Sequence, residues 1–158
     1  MSSRAQFPWV ALIVIAATIF VSVTSEFLPT GILPDIAAEL DVTESQVGFL
    51  VTLFAGTVVL SAAPLAILTR RFSRKGLVVV VMVLFLLSNV AAGLAPNYEL
   101  LAAARVLGGL AHGLFWAIMG AYAAHLVPKK QLGRAVAITS SGATAAFVLG
   151  VPLGTALG

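Results

Sequence analysis

The sequence predicts an all-α, polytopic membrane protein with about five transmembrane helices, on three observations. Of its 158 residues 60% are hydrophobic and only 9% are charged, whereas a soluble domain holds about 25% charged residues. The mean hydropathy is +1.08. The charges are also not scattered but gather in short gaps between apolar runs, and each run is long enough to cross a bilayer. The net charge of +3 and the pI near 9.8 therefore imply no nucleic-acid partner. Cysteine is absent, which excludes disulfides, thiol chemistry and cysteine-ligated metal.

The first span covers about 8–33, with Pro8 suited to a helix's first turn. It is too long, and lacks a small-residue cleavage site in the right place, to be a removed signal peptide. Glu26 is its only charge, with Ser22 and Thr30 one turn either side, and Pro29 and Pro34 kink and end it. An acidic connector over 35–44 follows, in which Thr43 to Gln46 offers an N-cap. The second span, about 46–69, is loosened by Gly48, Gly56 and Pro64 and leads into a basic knot of Arg70, Arg71, Arg74 and Lys75. The third, about 76–95, is the most uniformly apolar, with Ser88 and Asn89 as its polar exceptions, and is expected to face lipid. The fourth, about 98–127, is closed by Pro128. A second basic knot, Lys129, Lys130 and Arg134, precedes a fifth span of small and polar residues over about 135–158.

Arg4 and the two knots hold eight of the nine basic residues, all on one side of this alternating path. Asp35, Glu39, Asp41, Glu44 and Glu99 hold five of the six acidic ones, all on the other. The positive-inside rule then puts the N-terminus and both knots in the cytoplasm. The two charges left over, Glu26 and Arg105, lie within the spans.

The fourth span organises the chain. At about 100° per residue, Arg105, Gly109, His112 and Trp116 fall within roughly 40° of one line, and Gly113 and Gly120 beside it leave a groove for another helix. A guanidinium stays charged, and leaving it in lipid costs at least about 2.5 kcal/mol, so that face must meet protein or a wet cavity. Counted along their helices at about 1.5 Å per residue, Glu26 and Arg105 reach overlapping depths in the outer half of the membrane. They can therefore pair, either as a proton- or substrate-coupling site or as a static ion pair. His112 suits substrate hydrogen bonding, proton relay or an interhelical bond. Trp116, near mid-membrane, suits a cavity wall or simple packing, and Trp9 an interface anchor. No catalytic constellation, metal-ligand spacing or phosphate-binding loop occurs, so neither an enzyme nor a cofactor is expected.

Several stretches carry a family resemblance: Thr24-Ser-Glu26-Phe-Leu-Pro29-Thr-Gly-Ile-Leu-Pro34-Asp35-Ile, the knot from Leu68 to Lys75, Arg105-Val-Leu-Gly-Gly109, Ala111 to Trp116, and Gly150-Val-Pro152-Leu-Gly154. Together they resemble the N-terminal half of a major facilitator superfamily transporter, in its drug:proton antiporter and bacterial sugar-efflux branch. Two departures stand in the loop motif: Arg70 takes the place of an acidic residue and Ser73 that of a glycine, which argues against the family's charge latch here. The resemblance implies five helices of the family's N-terminal six-helix bundle, truncated, with a missing C-terminal half as partner. It implies a proton-coupled exporter of a small solute (a sugar or related metabolite, or a drug) in a bacterial inner membrane, in contact with lipid. Glu26 and Arg105 would couple protons, and His112, Trp116 and Asn89 would line the cavity. Arg70, Arg71, Arg74 and Lys75 would gate the cytoplasmic side, and Gly150, Pro152 and Gly154 would form the bendable antiporter helix. The alternative from another class is a short oligomeric membrane scaffold or channel-like protein.

The topology is testable because the background is free of cysteine. A Ser73→Cys variant should react with a membrane-impermeant maleimide only after the membrane is opened. Labelling from outside intact cells would overturn the orientation.

Overall fold

The computed structural model describes residues 7–157, and of Lys75, residues 120–125 and residue 157 the backbone alone; Arg4 lies outside the described residues. Seven α-helices follow in order: α1 (Trp9–Gly31), α2 (Leu33–Glu39), α3 (Glu44–Thr69), α4 (Arg74–Gly93), α5 (Tyr98–Leu126), α6 (Leu132–Ala145) and α7 (Val151–Leu157). A 3-10 turn at Lys129–Gln131 precedes α6, and a π-helical segment, Ala146–Gly150, joins α6 to α7. Among the described residues five stretches are long and apolar enough to cross a membrane, α6 to α7 counting as one.

The local chemistry accounts for the boundaries. The Thr43 hydroxyl accepts from Gln46 N–H at 3.2 Å while Thr43 N–H donates to Gln46 Oε1 at 2.9 Å, a reciprocal cap that starts α3 at Glu44. Ser73 and Asn97 cap α4 and α5, each accepting from the N–H three residues on. The acidic connector differs from the sequence reading. It contains α2, because Pro34, already fixed near helical φ, occupies the first turn instead of merely ending α1. Asp41, at φ 52, then turns the chain into α3, and Val42 N–H reaches back to the Ala37 carbonyl at 3.0 Å.

The fifth span is a helix with a fault. Pro152 has no N–H, so the Val148 carbonyl loses its ordinary partner. The turn widens in response, and Val151 N–H bonds the Ala146 carbonyl five residues back. The bend expected around Gly150 and Pro152 therefore takes the form of this widened turn.

Two packed groups make up the bundle. α5 lies against α3 and α4, and α1 lies against α6 and α7, with lighter contacts between the groups. α5 is the most buried of the spans. Its glycines explain the closeness to α3: a Cβ on Gly109 would stand 2.9 Å from the Phe54 carbonyl oxygen, and one on Gly113 would stand 3.1 Å from that of Val58. Gly142 meets the backbone of Ala16 in the same way across α1 and α6. Ile15, Ile19 and Val23 of α1 join Leu77, Val81, Leu114, Phe115 and Ile118 in one core that ties the groups together. α4 buries a single stripe, Leu77, Val81 and Ser88, and turns Val79, Val83, Leu86 and Val90 outward, in keeping with a lipid face. At one end of the bundle the Arg134 guanidinium lies 4.7 Å over the rings of both Phe7 and Trp9, so Trp9 clamps α1 to α6. At the other end Tyr98 Oη donates to the Gln46 carbonyl at 3.0 Å.

Gly109→Val should lower thermal stability in detergent by about 1–3 kcal/mol, since neither helix backbone can yield. Gly56→Ala, where an added Cβ meets nothing within 4 Å, should raise it by about 0.5–1 kcal/mol. Circular dichroism melts of the two variants check both.

Candidate functional site

The site forms where the middle of α5 crosses α1. Ser22 and Glu26, one turn apart on α1, face the two nitrogens of one imidazole. Ser22 Oγ is 3.1 Å from His112 Nδ1, and Glu26 Oε2 is 3.3 Å from His112 Nε2. His112 is 1% exposed. It is walled by the rings of Phe54, Phe85, Phe115 and Trp116, whose centroids lie 5.4 to 6.1 Å from its own. Such a dry enclosure strengthens every polar contact within it.

Arg105 reaches the same place from about two turns nearer the start of α5, but not in the expected way. Its Nη2 donates to the main-chain carbonyl of Glu26 at 3.0 Å, and its Cζ lies 4.2 Å over the Phe54 ring. The side-chain ion pair expected from matched depths is therefore not the contact made. The two residues meet, but the Glu26 carboxylate goes to His112 and the guanidinium goes to the backbone. The physical reason lies in the register, because Ser22 and Glu26 project from one face of α1 toward the helical position that His112 occupies.

This geometry is suited to proton exchange. With Glu26 ionised, His112 donates from Nε2 and accepts the Ser22 hydroxyl at Nδ1. With Glu26 protonated, the carboxyl donates to Nε2, and Nδ1 then carries the proton and donates to Ser22. The second state holds one proton more than the first: Nε2 passes its proton to the Glu26 carboxylate while Nδ1 takes one up on the Ser22 side, and Ser22 keeps its own hydroxyl proton, so the added proton comes from a donor beyond Ser22.

The remaining predicted residues fall elsewhere. His112 is buried within the bundle instead of lining an open cavity, and Trp116 is 41% exposed beside it. Asn89 binds Ser25 through Oδ1 and donates from Nδ2 to the Phe85 carbonyl at 2.8 Å. It lines a groove of about 780 Å³ between α1 and α4. Arg70, Arg71 and Arg74 are exposed at the α3–α4 turn without an ion-pair partner among the described residues. The Lys75 side chain is not among those described. Gly150 and Gly154 pack on Thr24 and Leu28 of α1, and Pro152 lines a shallow concavity with Phe27 and Phe147. Phe54 and Ser25 were not singled out in the sequence. Phe54 is one apolar residue among many in α3, and nothing in its spacing marks it as the ring shared by Arg105 and His112.

The Major Facilitator Superfamily model matches residues 15–158. The chain belongs to the major facilitator superfamily. It is thus a multi-pass membrane protein of a family of secondary transporters, which generally are not enzymes, and a membrane-embedded transporter would contact lipid and a small substrate. Membership favours the transporter over the scaffold reading.

A double-mutant cycle on unfolding separates the two partners of Glu26. Glu26→Gln with His112→Gln should show a coupling of about 0.5–3 kcal/mol. Glu26→Gln with Arg105→Gln should show less, because Arg105 holds the Glu26 backbone, which the substitution leaves in place.

Proposed function

We propose that residues 1–158 are about five helices of the six-helix N-terminal half of a proton-coupled exporter in a bacterial inner membrane. Its cargo would be a small solute, with sugars and related metabolites as the leading class and drugs as the second. The observation that carries this reading is the Glu26 carboxylate held against the buried imidazole of His112, with Ser22 on the ring's other nitrogen. A carboxylate inside a membrane helix is costly to keep unless its charge is used, and here its neighbour can both take and return a proton. Arg105 belongs to the coupling site as the group that fixes the α1 backbone under Glu26.

Substrate would approach along the groove between α1 and α4, where Asn89 and Ser25 supply the polar contacts, with Trp116 flanking the relay. The widened turn before Gly150 and Pro152, packed on α1 at Thr24, would let α6 and α7 bend against the helix that carries Glu26. Arg70, Arg71, Arg74 and Lys75 would gate the cytoplasmic side. The orientation, N-terminus in the cytoplasm, is supported by the charge asymmetry and by Arg134 lying over Phe7 and Trp9, which holds the second basic knot beside the chain's start. The apolar faces of α1, α3 and α4 would be shared between lipid and the C-terminal half.

The test is uphill movement of lactose or ethidium in vesicles containing the full-length protein under an imposed pH gradient. Glu26→Gln and His112→Gln should each abolish accumulation against a gradient while downhill exchange of the same probe persists. Uphill transport that survives Glu26→Gln would overturn proton coupling at this site.

A further inference from the structure

The turn between α3 and α4 gathers positive charge that the rest of the chain does not meet. α3 ends at Thr69 and α4 begins at Arg74, so this short turn joins two spans and lies where the apolar layer ends. Arg70, Arg71 and Arg74 are all exposed there, and none has an ion-pair partner among the described residues. The acidic residues nearest in sequence are Glu44, which opens α3, and Glu99, in the first turn of α5. Both stand at the opposite end of the spans, about 30–40 Å away. The three guanidiniums repel one another. Arg74 also occupies the first turn of α4, at the positive end of the helix dipole, with no acidic residue in that turn.

The same stretch also exposes apolar side chains. Phe72, between the arginines, is 65% exposed, and Leu68, just before them, is 69% exposed. A free anion such as phosphate would answer the charge but leave both side chains in water. An anionic bilayer surface answers the two needs together, with phosphates at the level of the guanidiniums and hydrocarbon beside them. We propose that the α3–α4 turn binds the headgroups of anionic phospholipids of the phosphatidylglycerol type. Arg70, Arg71 and Arg74 donate charge-assisted hydrogen bonds to phosphodiester oxygens, while Phe72 and Leu68 enter the adjoining acyl chains. The second basic knot is placed differently, since its Arg134 guanidinium already lies 4.7 Å over the rings of Phe7 and Trp9. The binding goes beyond the gating proposed for these arginines by naming what they meet. It requires neither movement of a gate nor the Glu26–His112 relay.

The probes are phosphatidylglycerol, phosphatidylcholine with the same acyl chains, and inorganic phosphate. Each is titrated against the full-length protein in neutral detergent, and the affinity for the first lipid bound is read by native mass spectrometry. Phosphatidylglycerol should bind at least about tenfold more tightly than phosphatidylcholine, whose choline cancels the phosphate charge. Arg71→Gln with Arg74→Gln should weaken phosphatidylglycerol by roughly 10- to 30-fold, since each cation at an anionic surface supplies about fivefold. Lys129→Gln with Lys130→Gln removes the same charge from the other knot and should weaken it by no more than about twofold. Phe72→Ser should weaken both lipids and leave their ratio unchanged. All five positions are exposed, so circular dichroism should show the parent's helicity in every variant. Equal binding of the two lipids, equal losses in the two double variants, or displacement of phosphatidylglycerol by equimolar phosphate would each overturn the proposal. Glu26→Gln should leave lipid binding unchanged whatever it does to transport, so the two readings fail separately.

Discussion

The need to satisfy ionisable groups inside an apolar layer governs how the helices of this bundle meet. A cation and a carboxylate carried into the membrane must find partners in protein, since lipid offers none. Arg105 does so through a main-chain carbonyl and an aromatic face, and Glu26 through an imidazole. Both solutions require α1 and α5 to cross at one particular register. The two groups of helices, α3 and α4 around α5 and α6 and α7 along α1, are therefore joined at their most polar point. The apolar core of Ile15, Ile19, Val81, Phe115 and Ile118 completes the junction.

Close approach comes from residues that take up little room. In a membrane no hydrophobic drive pulls helices together, so they associate through van der Waals contact and interhelical hydrogen bonds. Gly109 and Gly113 let α5 settle against the carbonyls of Phe54 and Val58, and Gly142 lets α6 settle against Ala16. Phe54 is thereby brought under Arg105 and beside His112. Packing and chemistry are consequently not separable here: the glycines that bring α3 close also supply the ring that shields the site. The Ser88 hydroxyl, donating to the Ala104 carbonyl at 2.9 Å, fastens α4 to the same helix.

The same bundle contains a place that is not close-packed in the ordinary helical way. Pro152 opens the ladder, and the widened turn at Ala146–Gly150 rests on α1 beside Thr24. Thr24 Oγ1 is buried there without a hydrogen-bond partner. A loosened turn, and an unpaired hydroxyl on the helix that carries Glu26, give this contact less to hold it than the α3–α5 contact has. Movement of α6 and α7 relative to α1 is thus less opposed than movement of α3 relative to α5.

By itself the sequence determined the class, the number of spans, their caps and prolines, and which two charges lie in the membrane. These follow from composition, from the length of apolar runs and from chemistry within a few residues, all of which act along the chain. It also determined the family, through motifs at Glu26, Arg105 and Gly150 to Gly154. Only the tertiary structure decided who meets whom. Depth along a helix can be counted from the sequence, but the rotation of α1 about its axis cannot. Arg105 and His112 share one face of α5 about two turns apart, and which of them the Glu26 carboxylate meets is set by how α1 crosses α5. The short helix α2 in the connector, the ring of Phe54 and the buried, unpartnered Nε of Arg105 depend likewise on neighbours distant in sequence, whose placement is settled by packing.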